Sequence, residues 1–384
     1  MSCAVLVFHI HQPFRLAAGR FFDPPETWFD AALDATIMQR VAQRAYLPAL
    51  QTIKTMLRQH PEFQVAFCVS GVALEQLGLY APEVTSHLRD LAQHPQVEFL
   101  ATPYYNSFAS LYSFAEFQYQ VQRHQQVLAD LLKCTTTTFM NSQLLYSDQV
   151  AAEVAKLGFR TLVGEAHPGV PEWGPRYVNL AAGTPVRLLL RQKEISEYMG
   201  FGFTDTDWRQ WPRTPERLAA RIKEVGPVCP IVVDLGVYGE HQRENSGILD
   251  FLQGFPMAFK AVQGTFYTPA RAGQYFQPLR EVHMLQPAVM TEPAYLETFL
   301  GNGMQRSLAQ AIYELELPVK HCGSEELLTA WRKLTASDHL FYMAAGKEVD
   351  AEAHRYFSPY QSPYDAYLNL AQVTDALRNA IAHV

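Results

Sequence analysis

Apolar residues in this chain fall into short, nearly unbroken runs separated by longer amphipathic stretches. The runs lie near residues 4–10, 63–69, 97–101, 137–141, 160–166, 186–190, 230–235 and 265–268. A stretch such as 63–69 (FQVAFCV) lacks the in–out alternation of a half-exposed strand, so it predicts a strand buried on both faces, as in a parallel sheet. Between most of these runs apolar positions recur at helical spacing, over 36–59, 81–94, 114–133, 147–157, 214–225 and 248–262. Strands and helices in alternation predict crossover connections, and seven or eight strands in that rhythm favour a closed or nearly closed barrel. From about residue 290 the pattern changes. Segments 293–315, 323–345 and 363–382 read as helices with no strand between them, a C-terminal helical unit packed on the barrel. The Pro- and Gln-rich stretch 269–288 marks the expected boundary, giving a barrel over 1–285 and a helical domain over 286–384.

Composition narrows the partners. A chain of 384 residues, 48% hydrophobic and 18% charged, has the material for one large core with an appendage. Its net charge of −7 and the absence of a Lys/Arg-rich run argue against nucleic acid, whereas a neutral polymer or small molecule needs no charge bias. No apolar run reaches spanning length, and the first residues enter a strand without a basic leader, so no membrane partner is expected and the cytoplasm is the default. Cys3, Cys68, Cys134, Cys229 and Cys322 are odd in number, scattered and without a CxxC, a pattern of buried free thiols rather than disulfides or a thiolate metal site.

The chemistry collects at the carboxyl ends of the strands, where parallel α/β folds place their sites. The first strand ends in His9-Ile10-His11-Gln12, the second in Ser70-Gly71, the third in Thr102-Pro103-Tyr104-Tyr105-Asn106, the fourth in Asn141-Ser142-Gln143, the fifth in Glu165-Ala166-His167, and a later one in Asp234. Glu165 and Asp234 stand out because each follows a strongly apolar strand, where a lone charge is costly without a function or a partner. Two readings are open for them: salt-bridged strand-end carboxylates, or the paired carboxylates of glycoside hydrolysis, one protonating the leaving oxygen and the other attacking carbon or activating water. His9-x-His11 puts both imidazoles on one strand face, as in some zinc sites, but carboxylate partners at familiar spacing are absent, so no metal is expected. Trp173, Trp208 and Trp211 sit in loop-like segments where they could stack on sugars or pack under a long loop. His167 reads as a loop residue.

A family resemblance enters with His11-Gln12-Pro13-Phe14, followed by Arg15-Leu16 and Phe21-Phe22-Asp23. These residues resemble the opening motif of glycoside hydrolase family 57, in its α-amylase-like branch. The similarity continues through Val65-Ala66-Phe67, Ser70-Gly71, Leu74-Glu75-Gln76-Leu77, Leu157-Gly158-Phe159 before Glu165, and Asp234 with Tyr238-Gly239-Glu240-His241. In the C-terminal part it takes in Leu300-Gly301-Asn302, Ser337-Asp338-His339 and the segment Tyr356 to Tyr364. The resemblance implies a (β/α)7 barrel with a C-terminal helical bundle and a retaining mechanism on α-glucan or related α-linked oligosaccharides, with glycosyl transfer open to the same intermediate and no cofactor required. It puts Glu165 at the nucleophile and Asp234 at the general acid/base. His9, His11, Gln12, Glu75, Tyr104, Tyr105, Asn106, Glu240 and His241 are then expected to contact substrate.

Departures from the family pattern are specific. Where the branch carries Asp-Tyr-Glu-Thr-Phe-Gly-Glu-His, this chain has Asp234-Leu235-Gly236-Val237-Tyr238-Gly239-Glu240-His241, so an acidic residue has become Gly236. The Arg-Asn-Thr-Glu pattern reads Met140-Asn141-Ser142-Gln143, and Glu-Thr-Tyr-Tyr-His reads Thr102-Pro103-Tyr104-Tyr105-Asn106. A tryptophan expected near the start of the bundle is missing around Val289-Met290-Thr291. Losing such supporting groups leaves a site assembled but poorly oriented. Three readings therefore stand: a retaining hydrolase or transferase, a carbohydrate-binding pseudoenzyme, and a metal-dependent hydrolase using His9 and His11.

Overall fold

The computed structural model describes residues 2–17, 27–200, 213–291, 295–345 and 358–384. Its strands are β1 (Cys3–Ile10), β2 (Val65–Val69), β3 (Val97–Phe99), β4 (Thr138–Met140), β5 (Thr161–Gly164), β6 (Asn179–Ala181), β7 (Arg187–Leu190), β8 (Val228–Asp234), β9 (Thr265–Phe266) and β10 (Glu281–Val282). Parallel pairing runs β8-β1-β2-β3 in one sheet and β4-β5-β7 in the other, and a parallel bridge between Ala101 and Phe139 joins them. These seven strands form a barrel whose seam lies between β7 and β8. At the seam the Gln192 N–H donates to the Pro230 carbonyl at 2.7 Å, and the Val232 N–H to Ser196 Oγ at 3.2 Å. Pro230 shares the seam-facing side of β8 with Val232, so its missing N–H costs no ladder bond. On the free edge of β7 lies β6, antiparallel, with β10 beyond it, while β9 pairs with the start of β1.

Both faces of the strands are covered, which is why they read as continuous apolar runs. Inside the barrel Cys3, Val5 and Val7 meet Ala66, Cys68, Leu100, Met140, Val163, Leu189 and Val232. Outside, Leu6, Phe8 and Ile10 pack beneath helices that include Ala31–Val41, Leu47–Gln59 and Ile248–Ala261. On the other half of the wall Phe139, Leu162 and Leu188 share a core with Leu308, Ile312, Trp331 and Leu370 of the C-terminal helices. All five cysteines are free thiols, and burial pushes Cys3 and Cys68 up to about 12.

Every strand expected from the sequence is present. The two added ones, β6 and β10, have only three and two residues, too few to leave a pattern. Helix Gly71–Tyr80 follows β2 directly, opened by Ser70, whose hydroxyl accepts the Ala73 N–H at 3.2 Å. Two expected long helices are broken. Segment 293–315 becomes Glu297–Leu300 and Gly303–Glu314, the latter opened by a reciprocal Asn302/Gln305 capping box. Segment 323–345 becomes Glu325–Leu334 and Ser337–Phe341, divided where Ala336 bridges to Ser107. The stretch 269–288 is not a plain linker, since it holds helix Pro269–Tyr275 and β10. Among the described residues no helix is long and apolar enough to cross a membrane.

Candidate active site

The inward parity that fills the barrel with Val5, Val7, Val163, Leu189 and Val232 runs on into charged and polar side chains at the carboxyl ends. On β1 it reaches His9, whose backbone pairs with Asp234 of β8, and past β5 and β7 it reaches Glu165 and Arg191. The rings of His9 and His11 stack with centroids 6.0 Å apart. A polar layer therefore caps the apolar filling at this rim.

Asp234 keeps 30% of its side chain exposed, and its Oδ2 lies 3.6 Å from His9 Nδ1. Its Oδ1 accepts the Gly236 N–H at 2.7 Å. A Cβ at Gly236 would stand 2.8 Å from that same oxygen, so the carboxylate occupies the space where a side chain at 236 would begin. Glu165 is differently placed. It is 2% exposed, with Oε2 2.5 Å from Arg191 Nε and Oε1 accepting the Ala166 N–H at 3.1 Å.

His11 links the barrel to the C-terminal helices. Its Nδ1 lies 2.7 Å from Ser70 Oγ and its Nε2 2.8 Å from Asp338 Oδ2. Because Ser70 and the acceptor-only Asp338 carboxylate flank the ring, the nitrogen facing Asp338 is the one that carries a proton. Burial alone raises Asp338, but the neighbouring His11, by charge and hydrogen bond, together with His339 and Asn106, outweighs it and holds the carboxyl at about 2. Asn106, at φ 54°, donates from Nδ2 to Asp338 and Ser337 Oγ, both at 3.3 Å, and Gln143, at φ 53°, donates to Ser337 Oγ at 3.2 Å. The ends of β1, β3 and β4 thus converge on the helix break at Ala336.

Several expected contacts are turned elsewhere. Tyr104 and Tyr105 are 3% and 0% exposed and do not face an open rim. The Tyr104 hydroxyl donates to Glu75 at 2.5 Å, and Arg123 lies 4.4 Å above the Tyr104 ring. Glu75 also lies 3.7 Å from both Arg123 and Lys333. Glu240, 5% exposed, is bound by Arg40 at 2.7 Å on the outside of the barrel, and burial lowers the pKa of its neighbour His241. The Gln12 side chain accepts from Arg15. His167 accepts the Gly169 N–H at 3.0 Å as a loop residue, and Trp173 packs half-buried on the core shared with the C-terminal helices. Phe21, Phe22, Asp23, Trp208, Trp211, Tyr356 and Phe357 lie outside the described residues.

Sequence reading overlooked Asp338, Ser337 and Arg191 as site residues, and noted Gln143 only as a departure. Arg191 had the same signal as Glu165, a charge directly after an apolar strand. Each of His9 and His11 already faces a carboxylate, and among the described residues no group of three or more His, Cys, Asp or Glu is arranged to hold a metal ion.

Fold and site together define the class of protein, a seven-stranded parallel barrel with carboxylates on its carboxyl-end rim and a helical C-terminal part. The profile of glycosyl hydrolase family 57 matches residues 5–285, and the chain belongs to that family. A Methanocaldococcus jannaschii protein provisionally named an alpha-amylase is 25% identical, over 95% of this chain and 82% of its own. Among solved structures, the family 57 branching enzyme of Thermococcus kodakaraensis superposes with a TM-score of 0.69 at 11% identity, covering 93% of this chain and 87% of that one. The 4-alpha-glucanotransferase of Thermococcus litoralis gives 0.67 at 12% identity, and this chain, 97% covered, spans 59% of it. These likenesses establish the (β/α)7 barrel with its helical C-terminal region.

Proposed function

We propose that this rim acts on α-glucan or a related α-linked oligosaccharide by a retaining reaction. Glu165 attacks the anomeric carbon while Asp234 protonates the leaving oxygen, and Asp234 then activates the water or acceptor sugar that releases the glycosyl group. The supporting observation is that both carboxylates fall on the inward parity at strand ends, with only β7 between their strands. The bond from Arg191 holds Glu165 in a fixed orientation, and the nearby imidazole of His9 steadies Asp234. Amide and imidazole groups of Asn106, Gln143 and His11 suit the hydroxyls of a neutral sugar. Attack requires that substrate binding uncover Glu165.

One observation favours a second reading, recognition of the glucan without turnover. Glu165 is sealed with both oxygens engaged, whereas the side chain that joins the His11–Asp338 network from the end of β4 is the Gln143 amide, where the family pattern has glutamate. An amide is not a nucleophile toward an anomeric carbon. A mechanism-based fluoro-sugar with a good leaving group, run beside calorimetry with maltooligosaccharides, separates the readings. Labelling of Glu165 that Glu165→Gln abolishes supports turnover, and label on another carboxylate overturns the role given to Glu165. Binding heat without label or turnover across a panel of α-glycosides supports recognition alone. Turnover that disappears on chelation and returns with zinc would refute the carboxylate chemistry.

A further inference from the structure

The opposite end of the barrel holds a feature that the rim chemistry does not use. A cavity of about 420 Å³ opens among the amino-terminal ends of β2, β3 and β4 and the segment after β9, lined by Gln64, Glu98, Thr135, Thr137, Arg271 and Gln274 among others. Its volume falls in the roughly 300–1,000 Å³ range of small-molecule pockets. β1 alone spans eight residues, so this mouth lies roughly 20 Å from the rim at about 3.3 Å per residue.

Glu98 is on the inward parity of β3, a carboxyl group at the bottom of the barrel. Its Oε1 accepts the Thr138 hydroxyl and its Oε2 the Ala270 N–H at 3.0 Å. A carboxylate offers about four acceptor positions, and the bonds from Thr138, Ala270 and the Thr268 side chain leave about one of them for a ligand. Burial raises its pKa, against the opposing hydrogen bonds of Thr138, Ala270 and Thr268. Beside the cavity the Arg271 guanidinium lies 4.7 Å over the Tyr267 ring, which meets the ring of Tyr275 edge-on at 5.1 Å. Tyr275 is 58% exposed and follows the lining residue Gln274 on helix Pro269–Tyr275. One carboxyl and one guanidinium nearly cancel, so the wall selects neither anions nor cations. Hydroxyl and amide donors and acceptors on the wall, with an exposed tyrosine on the neighbouring helix position, match a neutral polyhydroxylated ring, whose hydroxyls bond the wall.

We propose that the amino-terminal mouth of the barrel is a second carbohydrate-binding site, taking a short glucosyl oligosaccharide. The choice of glucosyl units rests on the α-glucan reading of the rim, whereas the class of ligand rests on the cavity itself. Two sites on one chain would hold a glucan by more than one segment and raise its apparent affinity without new contacts.

The test is calorimetry with maltotriose, with binding located by hydrogen exchange at 135–138 and 268–275, on wild-type protein, on Asp234→Ala at the rim, and on Gln274→Ala and Tyr275→Ala at the mouth. Both mouth residues are exposed, so these variants should keep the wild-type melting temperature. The expected result is binding with protection at the mouth that persists in Asp234→Ala and weakens at least tenfold in Gln274→Ala and Tyr275→Ala. Maltotriose protection confined to the rim overturns the second site and leaves the α-glucan reading standing. Protection at the mouth alone supports the site and removes the rim reading, and no maltotriose binding at either end overturns both. Protection at the mouth by inorganic phosphate but not by maltotriose would also overturn the proposal.

Discussion

Replacing Arg191 with methionine removes a cation and keeps much of the side-chain volume, and it asks whether Glu165 is sealed from water. The two side chains are 6% and 2% exposed and 2.5 Å apart, so the variant leaves a buried carboxylate with one backbone N–H. Breaking a buried pair by removing one partner costs roughly 3–5 kcal/mol. In the Glu165→Gln/Arg191→Met double variant no charge remains to strand, and its cost should be about 1–2 kcal/mol. Urea unfolding of the wild type, both single variants and the double variant at pH 7.5 measures each value. A loss below about 1 kcal/mol in Arg191→Met would mean that Glu165 is hydrated. The reasoning that it is sealed would then fail, and with it the obstacle to nucleophilic attack.

Acid should destabilise the fold through His124 and His339, which burial lowers to about 4. Below the unfolded value of 6.5 only the unfolded chain binds these protons, so stability falls as the pH drops from 6.5 toward 4, by about 2 kcal/mol per histidine at pH 5; an unfolding free energy that is flat over this range would count against both assignments. Asp338→Asn removes a charge-assisted bond to His11 and should cost about 2 kcal/mol in urea unfolding at pH 7, and a loss under about 0.5 kcal/mol would refute the joint between rim and helices. Gly236→Ala sets a Cβ 2.8 Å from Asp234 Oδ1 and should rotate the carboxylate off the Gly236 N–H, so a crystal structure of the variant with Asp234 unmoved would contradict the geometry. If Gln143 has replaced the reactive carboxylate, Gln143→Glu should gain covalent fluoro-sugar labelling at residue 143, and a folded variant without label opposes that reading.

His9, His11, Glu165 and Asp234 were legible because a polar group at the end of an apolar parallel strand has one place to go, the rim. Asp338 was not, since its place depends on a helix break at Ala336 that brings it 327 residues along the chain to His11. Helical periodicity carries straight across that break. Tyr104 and Tyr105 sit at a strand end as expected, yet packing decides their direction. A Cβ at Gly71 would lie 2.2 Å from the Tyr104 ring, so the glycine is the space into which the ring folds. Glu240 is diverted in the same manner. Gly239, at φ 141°, rests on the backbone of Arg44, where a Cβ would meet the carbonyl at 1.8 Å, and this close approach delivers Glu240 to Arg40. In each case a glycine beside the residue decided its direction through a contact distant in sequence.

The internal pairings also define what a ligand must displace. Glu165 is held by Arg191, His11 by Asp338, Glu75 by Tyr104, Arg123 and Lys333, and Glu240 by Arg40. A charged ligand would have to break one of these pairs and meet the stranded partner, a cost that disfavours anions and cations alike. Asp234 differs, since the side chain paired with it is an imidazole at 3.6 Å and its short bond is to a backbone amide. It is therefore the rim carboxylate that a neutral sugar hydroxyl can approach without breaking a salt bridge. If reaction occurs at this rim, the leaving oxygen belongs beside Asp234 and His9, and the remaining requirement is a carboxylate on the opposite face of the sugar. Glu165 meets that requirement only by leaving Arg191 or turning with it, so the Arg191 bond separates a barrel that turns over glucan from one that only holds it.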